Sequence, residues 1–368
     1  MRLRTQKRMV SDYVRFRDRD APITEEALIF RVYGYVHPPG YCVCDLEYAP
    51  EKVYESVDPR SVRARDGKRF YKFYFDGGLN FVKKRFPRYQ FFYKPLQKNL
   101  VGLAEEQISE MRRPDERLRL IFDSDREDAL VQALIELLMK IFEASKLKIS
   151  DFWVFGSIMH DFYDPKYSDL DLVVYGKRQL LELMEVLEDL YSDTGSGFQN
   201  EFEGWGLSMS PLNWKFKYYS IAEYGWHQRR KTVYALYKSA DLNRTVKVEF
   251  EPVKRWSEIA NEYADDERIE SLGWVVATVK ILDDSESFFM PSIYPVEVLR
   301  IGKRFKNVDV ERVVSYVEEF RMQLKEGEEG MVRGRLEKVS GRGGEFHQIT
   351  LSYGPSYFKQ VLKTAPSK

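Results

Sequence analysis

The residues with the clearest potential for chemistry are two aspartates on one predicted strand. Asp169 and Asp171 begin the run DLDLVVYG, whose acidic and apolar residues alternate as in a half-buried strand. Side chains at positions i and i+2 of a strand point to the same face, roughly 6.5–7 Å apart, so both carboxylates are expected to meet one solvent pocket. Such a pair can hold two Mg²⁺ ions about 3.5–4 Å apart, which stabilise an in-line phosphoryl displacement.

A glycine–serine pair precedes these aspartates, at the end of another predicted strand, DFWVF. Gly156 allows the backbone to approach a phosphate because it has no Cβ, and Ser157 adds a hydroxyl at the start of a predicted helix, where anions are favoured. Eleven residues separate Ser157 from Asp169. Together the two segments predict a binding site for the phosphates of a nucleoside triphosphate beside a pair of metal-binding carboxylates.

In this order the elements resemble the signature of the DNA polymerase β-like nucleotidyltransferase superfamily, which is helix, strand, Gly-Ser, helix, and a strand with Asp-x-Asp. The matching positions are Gly156, Ser157, Ser168, Asp169 and Asp171. The resemblance covers about residues 126–260. It implies transfer of a nucleoside monophosphate from a triphosphate to an acceptor, with release of pyrophosphate. It also implies Mg²⁺ or Mn²⁺ as the metal ion, and ATP is the triphosphate that we expect.

The same resemblance implies a third carboxylate on the next strand, for which VKVEFE is the candidate. Glu249 and Glu251 share one face of this strand, while the apolar residues beside them point inward. We expect Glu249 to complete the catalytic set with the two aspartates, and Glu251 to lie close behind as a further metal ligand. The alternative is a solvated strand face beside Lys247.

A second signal is a basic and aromatic segment at residues 60–98. It contains twelve Lys or Arg against two acids, a local net charge of +10, and eleven aromatic residues, although the whole chain has 58 basic and 58 acidic residues. Cationic grooves with rings on which bases stack are a common means of binding single strands. The predicted nucleic-acid-binding residues are Lys68, Arg69, Lys72, Lys83, Lys84, Arg85 and Arg88. The alternative is a solvated face, with some of the rings in the core.

The predicted fold class is α/β (α+β): a nucleotidyltransferase core with a mixed sheet, flanked by amino-terminal and carboxy-terminal β-rich domains that resemble small barrels. Ser124 and Glu127 form a capping-box pattern that predicts a helix over DALVQALIELLMKIF. The predicted divisions are a β-rich basic and aromatic domain at 1–100, a linker at 101–124, the nucleotidyltransferase domain at 125–262 and a β-rich domain at 263–368.

Composition excludes several classes of protein. The hydrophobic fraction of 43% and the charged fraction of 32% are those of a globular chain. The most apolar stretch, 129–142, is interrupted by polar residues and is far shorter than a bilayer span. With only Cys42 and Cys44, the chain has no disulfide framework, and a cytoplasmic location is expected.

Three functions agree with these observations. The first, which we predict, is an enzyme that transfers a nucleotide to an RNA end, or another single-stranded nucleic acid, held by the β-rich domains. The second is a nucleotidyltransferase that acts on a small molecule or a protein side chain. The third is a nucleic-acid-binding protein that keeps the fold without activity.

Overall fold

The computed structural model describes residues 15–65, 67–122, 128–203, 214–239, 242–260 and 263–365. Within them the chain forms three β-sheets, of eight, five and six strands. No helix of this part is long and apolar enough to cross a membrane.

The first sheet occupies the amino-terminal third of the chain. Its strands are β1 (Ala21–Ile23), β2 (Ile29–Val32), β3 (Tyr41–Pro50), β4 (Val62–Arg65), β5 (Lys68–Lys72), β6 (Gln90–Tyr93), β7 (Lys98–Ala104) and β8 (Glu110–Arg112). Their order is β4-β5-β3-β2-β1-β8, and β7 joins the other end of β3 with β6 beyond it. Helix α1 (Gly77–Arg85) packs on β3, and this requires Gly78, because a Cβ there would lie 2.0 Å from the Leu46 carbonyl oxygen.

The middle sheet positions the predicted carboxylates. Its strands are β9 (Phe152–Val154), β10 (Leu170–Tyr175), β11 (Phe198–Asn200), β12 (Tyr234–Lys238) and β13 (Thr245–Val253), in the order β11-β12-β13-β10-β9. Strands β10 and β13 are parallel, and the other pairs are antiparallel.

Six helices accompany the sheets in the described part of the chain. They are α1, α2 (Pro114–Phe122), α3 (Ala129–Glu143), α4 (Gly156–Met159), α5 (Lys177–Ser192) and α6 (Ile221–Arg229). The apolar residues of α3 recur at helical spacing and are buried, which explains its position in the core. Asp128 caps α3 by accepting a hydrogen bond from the Val131 amide at 3.1 Å. The predicted capping box, Ser124 with Glu127, lies outside the described residues.

The third sheet closes into a barrel. Its strands are β14 (Arg268–Ile281), β15 (Ser292–Ile301), β16 (Arg312–Ser315), β17 (Glu329–Gly341), β18 (Gly344–Leu351) and β19 (Val361–Thr364). Five of them form the ring β14-β15-β16-β18-β17, because β14 pairs with both β15 and β17. Strand β19 pairs with β17 from outside the ring.

The predicted fold class is wrong. The chain is β-rich, with 37% strand and 25% helix, and it contains a closed five-stranded barrel rather than a helix-flanked nucleotidyltransferase core. Fourteen of the nineteen described strands lie outside the middle sheet. One of three hydrophobic clusters in the described residues is common to the three parts, since Tyr48 of β3, Leu137 of α3 and Phe289 before β15 belong to it. Short motifs did not reveal this common core, because its contacts join distant parts of the sequence.

The segment predicted as a linker, 101–124, is structured over much of its length. It contains the end of β7, all of β8 and helix α2, which packs on β9. Segment 28–100, predicted as β-rich, also contains helix α1.

Candidate active site

Three of the predicted carboxylates lie on or beside two neighbouring parallel strands of the middle sheet. Asp171 on β10 lies directly opposite Glu249 on β13 in the strand register. Asp169 is exposed and precedes β10 by one residue, whereas Asp171 is partly buried. The alternation that keeps neighbouring Leu170 and Leu172 in the core turns these acids to the opposite face of the sheet.

The predicted Gly-Ser turn lies directly against this group. Gly156 has a φ of +61°, which glycine adopts without penalty, and a Cβ on it would lie 2.4 Å from Oδ2 of Asp171. The Phe155 amide, one residue earlier, donates a hydrogen bond to the Asp171 carbonyl oxygen at 3.1 Å. Ser157 is 5% exposed in α4. Glycine is therefore needed both for the backbone conformation and for the close approach of the turn to the carboxylate.

The electrostatics of this group show uncompensated negative charge. Burial raises the pKa of Asp171 to about 7, and the charge of Glu249 adds to the effect, although Lys72 opposes it. Although Asp169 is exposed at the surface, desolvation by the surrounding protein also raises its pKa, and the charge of Lys247 partly offsets this. Carboxylates with raised pKa values are stabilised by a bound cation, and such groups are common at functional sites.

Glu249 has a direct partner. Lys247 on the same strand face places its Nζ 2.6 Å from Glu249 and 3.4 Å from Glu201. Burial would lower the pKa of Lys247, but these two carboxylates outweigh it and raise the pKa above its usual value. In this conformation Glu249 is therefore neutralised by Lys247.

Lys72 reaches the site from a different sheet. It ends β5, and its Nζ lies 3.6 Å from Glu47 of β3. Its charge lowers the pKa of Asp171, so it lies near the carboxylates. We predicted Lys72 as one of seven residues on a surface for nucleic acid, and the structure places it beside Glu47, near enough to Asp171 for its charge to act there.

A cavity of about 200 Å³ adjoins Lys72. It lies where the first sheet meets the barrel, and its walls carry both charges and rings. They include Arg31, Glu47, Lys72, Phe75, Glu318 and Tyr353. This cavity offers space for part of a substrate beside Lys72.

The structure separates Glu251 from the carboxylate site. Glu251 is 5% exposed, and its carboxylate accepts hydrogen bonds from Arg19 at 2.8 Å and from both terminal nitrogens of Arg321. Burial alone would raise the pKa of Glu251, but the two guanidinium groups outweigh it and lower the pKa well below its usual range. Both oxygens of Glu251 are thus engaged in ion pairs, which removes it from our set of metal ligands.

The other six predicted nucleic-acid-binding residues are exposed on the first sheet and α1. They are Lys68, Arg69, Lys83, Lys84, Arg85 and Arg88. Two of them are paired, Arg69 with Glu51 at 2.9 Å and Arg88 with Glu26. The three at 83–85 lie in the last turn of α1, where cations stabilise the helix dipole. A structural role therefore competes with nucleic-acid binding for this group, which we call the α1 cations (Lys83, Lys84 and Arg85).

Sequence reasoning missed part of the site. Lys247 could have been found, because strand alternation places it on the face of Glu249. Glu201 follows β11 and Glu47 belongs to β3, and no local pattern connects either of them with Asp171. Tertiary contacts alone bring these two acids to the site.

The side chains at the site can be compared with the ligands that divalent metal ions prefer. Asp169, Asp171 and Glu249 offer hard oxygen donors of the kind that Mg²⁺ and Mn²⁺ prefer, and burial, which raises the pKa of Asp171, makes its ionised form unfavourable without a cation. Among the described residues, however, no group of three or more acidic, His or Cys side chains is gathered closely enough to hold a metal ion. Glu249 contacts Lys247 instead. The two aspartates therefore fit a divalent cation in type and charge, and Lys247 holds the third carboxylate in an ion pair.

The chain is similar to an uncharacterized protein of Methanocaldococcus jannaschii. The two are 25% identical over 364 residues, which cover 95% of this chain and 99% of the relative. No protein-family model matches the sequence. No solved structure matches it. The similarity to the relative extends over all three sheets.

Proposed function

We propose that the protein transfers a nucleoside monophosphate from a nucleoside triphosphate to an acceptor and releases pyrophosphate. The observation that carries this proposal is the placement of Asp171 directly opposite Glu249, with Gly156 close against the Asp171 carboxylate. The resemblance of the Gly-Ser and Asp-x-Asp elements to nucleotidyltransferases gives the reaction class. A β-rich molecule with this local arrangement supports the chemistry without requiring the fold class that we first expected.

The residues have separate roles in this proposal. Asp169 and Asp171 would hold Mg²⁺ or Mn²⁺, which when bound supplies positive charge to the phosphates and to the leaving pyrophosphate. Gly156 lets the turn lie directly against Asp171, since a side chain there would meet the Asp171 carboxylate. Lys72 approaches from β5 and can bind phosphate oxygens as a mobile point charge.

Lys247 determines whether the third carboxylate, Glu249, is free to act with Asp171. Its ammonium is 2.6 Å from Glu249, and a triphosphate is a stronger competitor for an ammonium group than a single carboxylate, because it carries more charge. Binding of the triphosphate would thus draw Lys247 away and free Glu249 to face Asp171. The acceptor that we propose remains an RNA end.

The experiment supplies each α-labelled nucleoside triphosphate with Mg²⁺ or Mn²⁺ and total RNA, and asks whether label is transferred and pyrophosphate released. Asp171→Asn is the test variant. Asp309→Asn is the matched control, because Asp309 is exposed in the segment before β16. We expect loss of transfer in the first variant only. Equal transfer by Asp171→Asn and the parent would overturn the proposal.

A further inference from the structure

The outer face of the barrel carries exposed rings with an arginine between them. Trp274 on β14 is 38% exposed, and Tyr218, before α6, is 43% exposed. Arg333 on β17 places its guanidinium carbon 4.8 Å from the Tyr218 ring centroid and 5.8 Å from that of Trp274. This arrangement presents flat apolar faces and a cation to solvent on one surface.

The surface continues from the barrel towards the cavity. Nε of Arg333 donates a hydrogen bond to the Lys359 carbonyl oxygen at 3.2 Å, and the adjacent Phe358 packs edge-on against Phe75 with ring centroids 5.3 Å apart. Lys215 lies over both of these rings, with Nζ 4.2 Å from the Phe75 centroid and 5.5 Å from the Phe358 centroid.

Phe75 joins this surface to the cavity. Its ring is 49% exposed, and it lines the cavity together with Lys72. A series of ring and cation contacts thus leads from Trp274 to the cavity, and we call it the barrel track (Trp274, Arg333, Tyr218, Phe358, Lys215 and Phe75).

The charge of the barrel track favours an anionic partner. Five cationic side chains on or beside it have no ion pair among the described residues: Lys215, Lys217, Arg333, Arg335 and Lys359. A sixth, Lys363, is paired with Glu223 at 2.9 Å. On the first sheet, by contrast, Arg69 and Arg88 are already neutralised by carboxylates.

We propose that the barrel track binds single-stranded nucleic acid and leads its end into the cavity beside Lys72. Unpaired bases can stack on exposed rings while the phosphates meet the cations, whereas a duplex hides its base faces from such rings. The proposal names the acceptor of the proposed transfer reaction, and in that respect it rests on the proposed function. Binding itself requires only the barrel track.

The test measures binding of the full-length protein to a fluorescein-labelled 12-nucleotide oligo(U) RNA by fluorescence anisotropy at 50 mM salt, with EDTA and without nucleotide. The double variant W274A/Y218A removes two stacking rings, and we expect binding to weaken by at least about 10-fold. R333Q/K215Q removes two cations and keeps the rings. If all five unpaired cations contact phosphates, log affinity should fall with log salt at a slope of about −3.5, and this variant should reduce the slope to about −2.

Trp226 provides a matched control on another element. It lies on α6, is 50% exposed and also carries an arginine over its ring, with Arg230 at 4.5 Å. W226A should therefore bind RNA as the parent does. Equal weakening by W226A and W274A/Y218A would overturn the proposal, since it would show a general effect of removing surface rings.

Two further variants separate this proposal from others. Asp171→Asn should bind RNA normally, so failure of transfer chemistry leaves the binding result standing. Reversal of the α1 cations (K83E/K84E/R85E) should leave most of the binding intact. Loss of binding in that triple variant, with normal binding by both barrel-track variants, would place the nucleic acid on the first sheet and overturn the proposal. Equally strong displacement of the RNA by an oligoglutamate peptide would also overturn it, in favour of an acidic protein partner.

Discussion

Two glutamates on β13, separated by one residue, have opposite surroundings. Glu251 is buried and is bound by the guanidinium groups of Arg19 and Arg321. Glu249 faces Asp171, and its one direct cationic partner in the described structure is Lys247. Glu251 therefore belongs to a balanced ion-pair network, whereas Glu249 belongs to a group with surplus negative charge.

The two glutamates show that a buried acid can either stabilise the fold or belong to a functional site. In the network, cations outweigh the cost of burial and lower the pKa of Glu251, so the ionised form stabilises the fold. At the carboxylate site, burial and like charge raise the pKa of Asp171. The ionised form of Asp171 therefore destabilises the folded protein unless a cation binds. The sign of the pKa shift thus distinguishes the two regions, although both contain buried acids.

The largest expected effect is loss of transfer on removal of one charge from the carboxylate site. Asp171→Asn should reduce nucleotide transfer by about three orders of magnitude or more, because the residue would hold the metal ion that stabilises the transition state. Thermal unfolding of the same variant should show no loss of stability near pH 8, since the substitution removes repulsion with Glu249. A melting temperature far below that of the parent would contradict the surplus-charge interpretation.

Substitution in the ion-pair network around Glu251 should instead reduce the stability of the fold. Glu251→Gln removes the carboxylate that pairs with buried Arg321 and one of the carboxylates that pair with Arg19, and removal of one partner of a buried pair costs about 3–5 kcal/mol. Glu249→Gln is the matched control, because it makes the same chemical change two residues away, and it should lower the free energy of unfolding by less than about 1 kcal/mol while abolishing transfer. Urea unfolding of both variants measures the contrast. Equal destabilisation by the two substitutions would remove the distinction between the regions.

A methyl group should be enough to disturb the site. Gly156→Ala places a Cβ 2.4 Å from Oδ2 of Asp171 at a φ of +61°. The backbone conformation alone costs about 1–3 kcal/mol for a residue with a side chain. Nucleotide transfer should fall together with stability, whereas Gly343→Ala, at a site where a Cβ meets nothing within 4 Å, should leave transfer unchanged. Normal transfer by Gly156→Ala would show that the turn does not approach the carboxylate.

The smallest expected effect is a pH dependence of the free energy of unfolding and of the affinity for Mn²⁺. Because the pKa of Asp171 is about 7 in the folded protein and about 4 when unfolded, the folded state binds more protons between these values, and stability should fall as pH rises through this range. Binding of Mn²⁺ should strengthen over the same range by up to tenfold per pH unit, because the metal competes with the proton. Titrations of the parent and of Asp171→Asn between pH 5.5 and 8.5 measure both effects. A metal affinity that is independent of pH in the parent would contradict the raised pKa.

Local patterns predicted local structure well. The alternation in DLDLVVYG and VKVEFE predicted the strands β10 and β13 that carry the carboxylates, and the apolar runs near the carboxy terminus coincide with β14, β17 and β18. These features depend on neighbouring residues, so the sequence contains them directly.

The features that sequence reasoning missed depend on contacts between distant residues. The fold class was wrong because the closure of the barrel and the common core are set by the pairing of separate strands. Glu251 was predicted as a metal ligand because its partners, Arg19 and Arg321, are 232 and 70 residues away. Lys72 was placed in a surface patch because nothing near it in the sequence connects β5 with Asp171.

The network around Glu251 also limits how this protein can be divided. Its carboxylate, on the middle sheet, joins Arg19 from the segment before the first sheet to Arg321 from the segment between β16 and β17. Deletion of either terminal portion would remove one of the two guanidinium groups that bind Glu251, and removal of a partner from a buried ion pair costs about 3–5 kcal/mol, a large part of the stability of many domains. The three parts should therefore be inherited, expressed and degraded as one unit. A gene fusion that carried only the part with the carboxylate site would be selected against because its product would fold poorly.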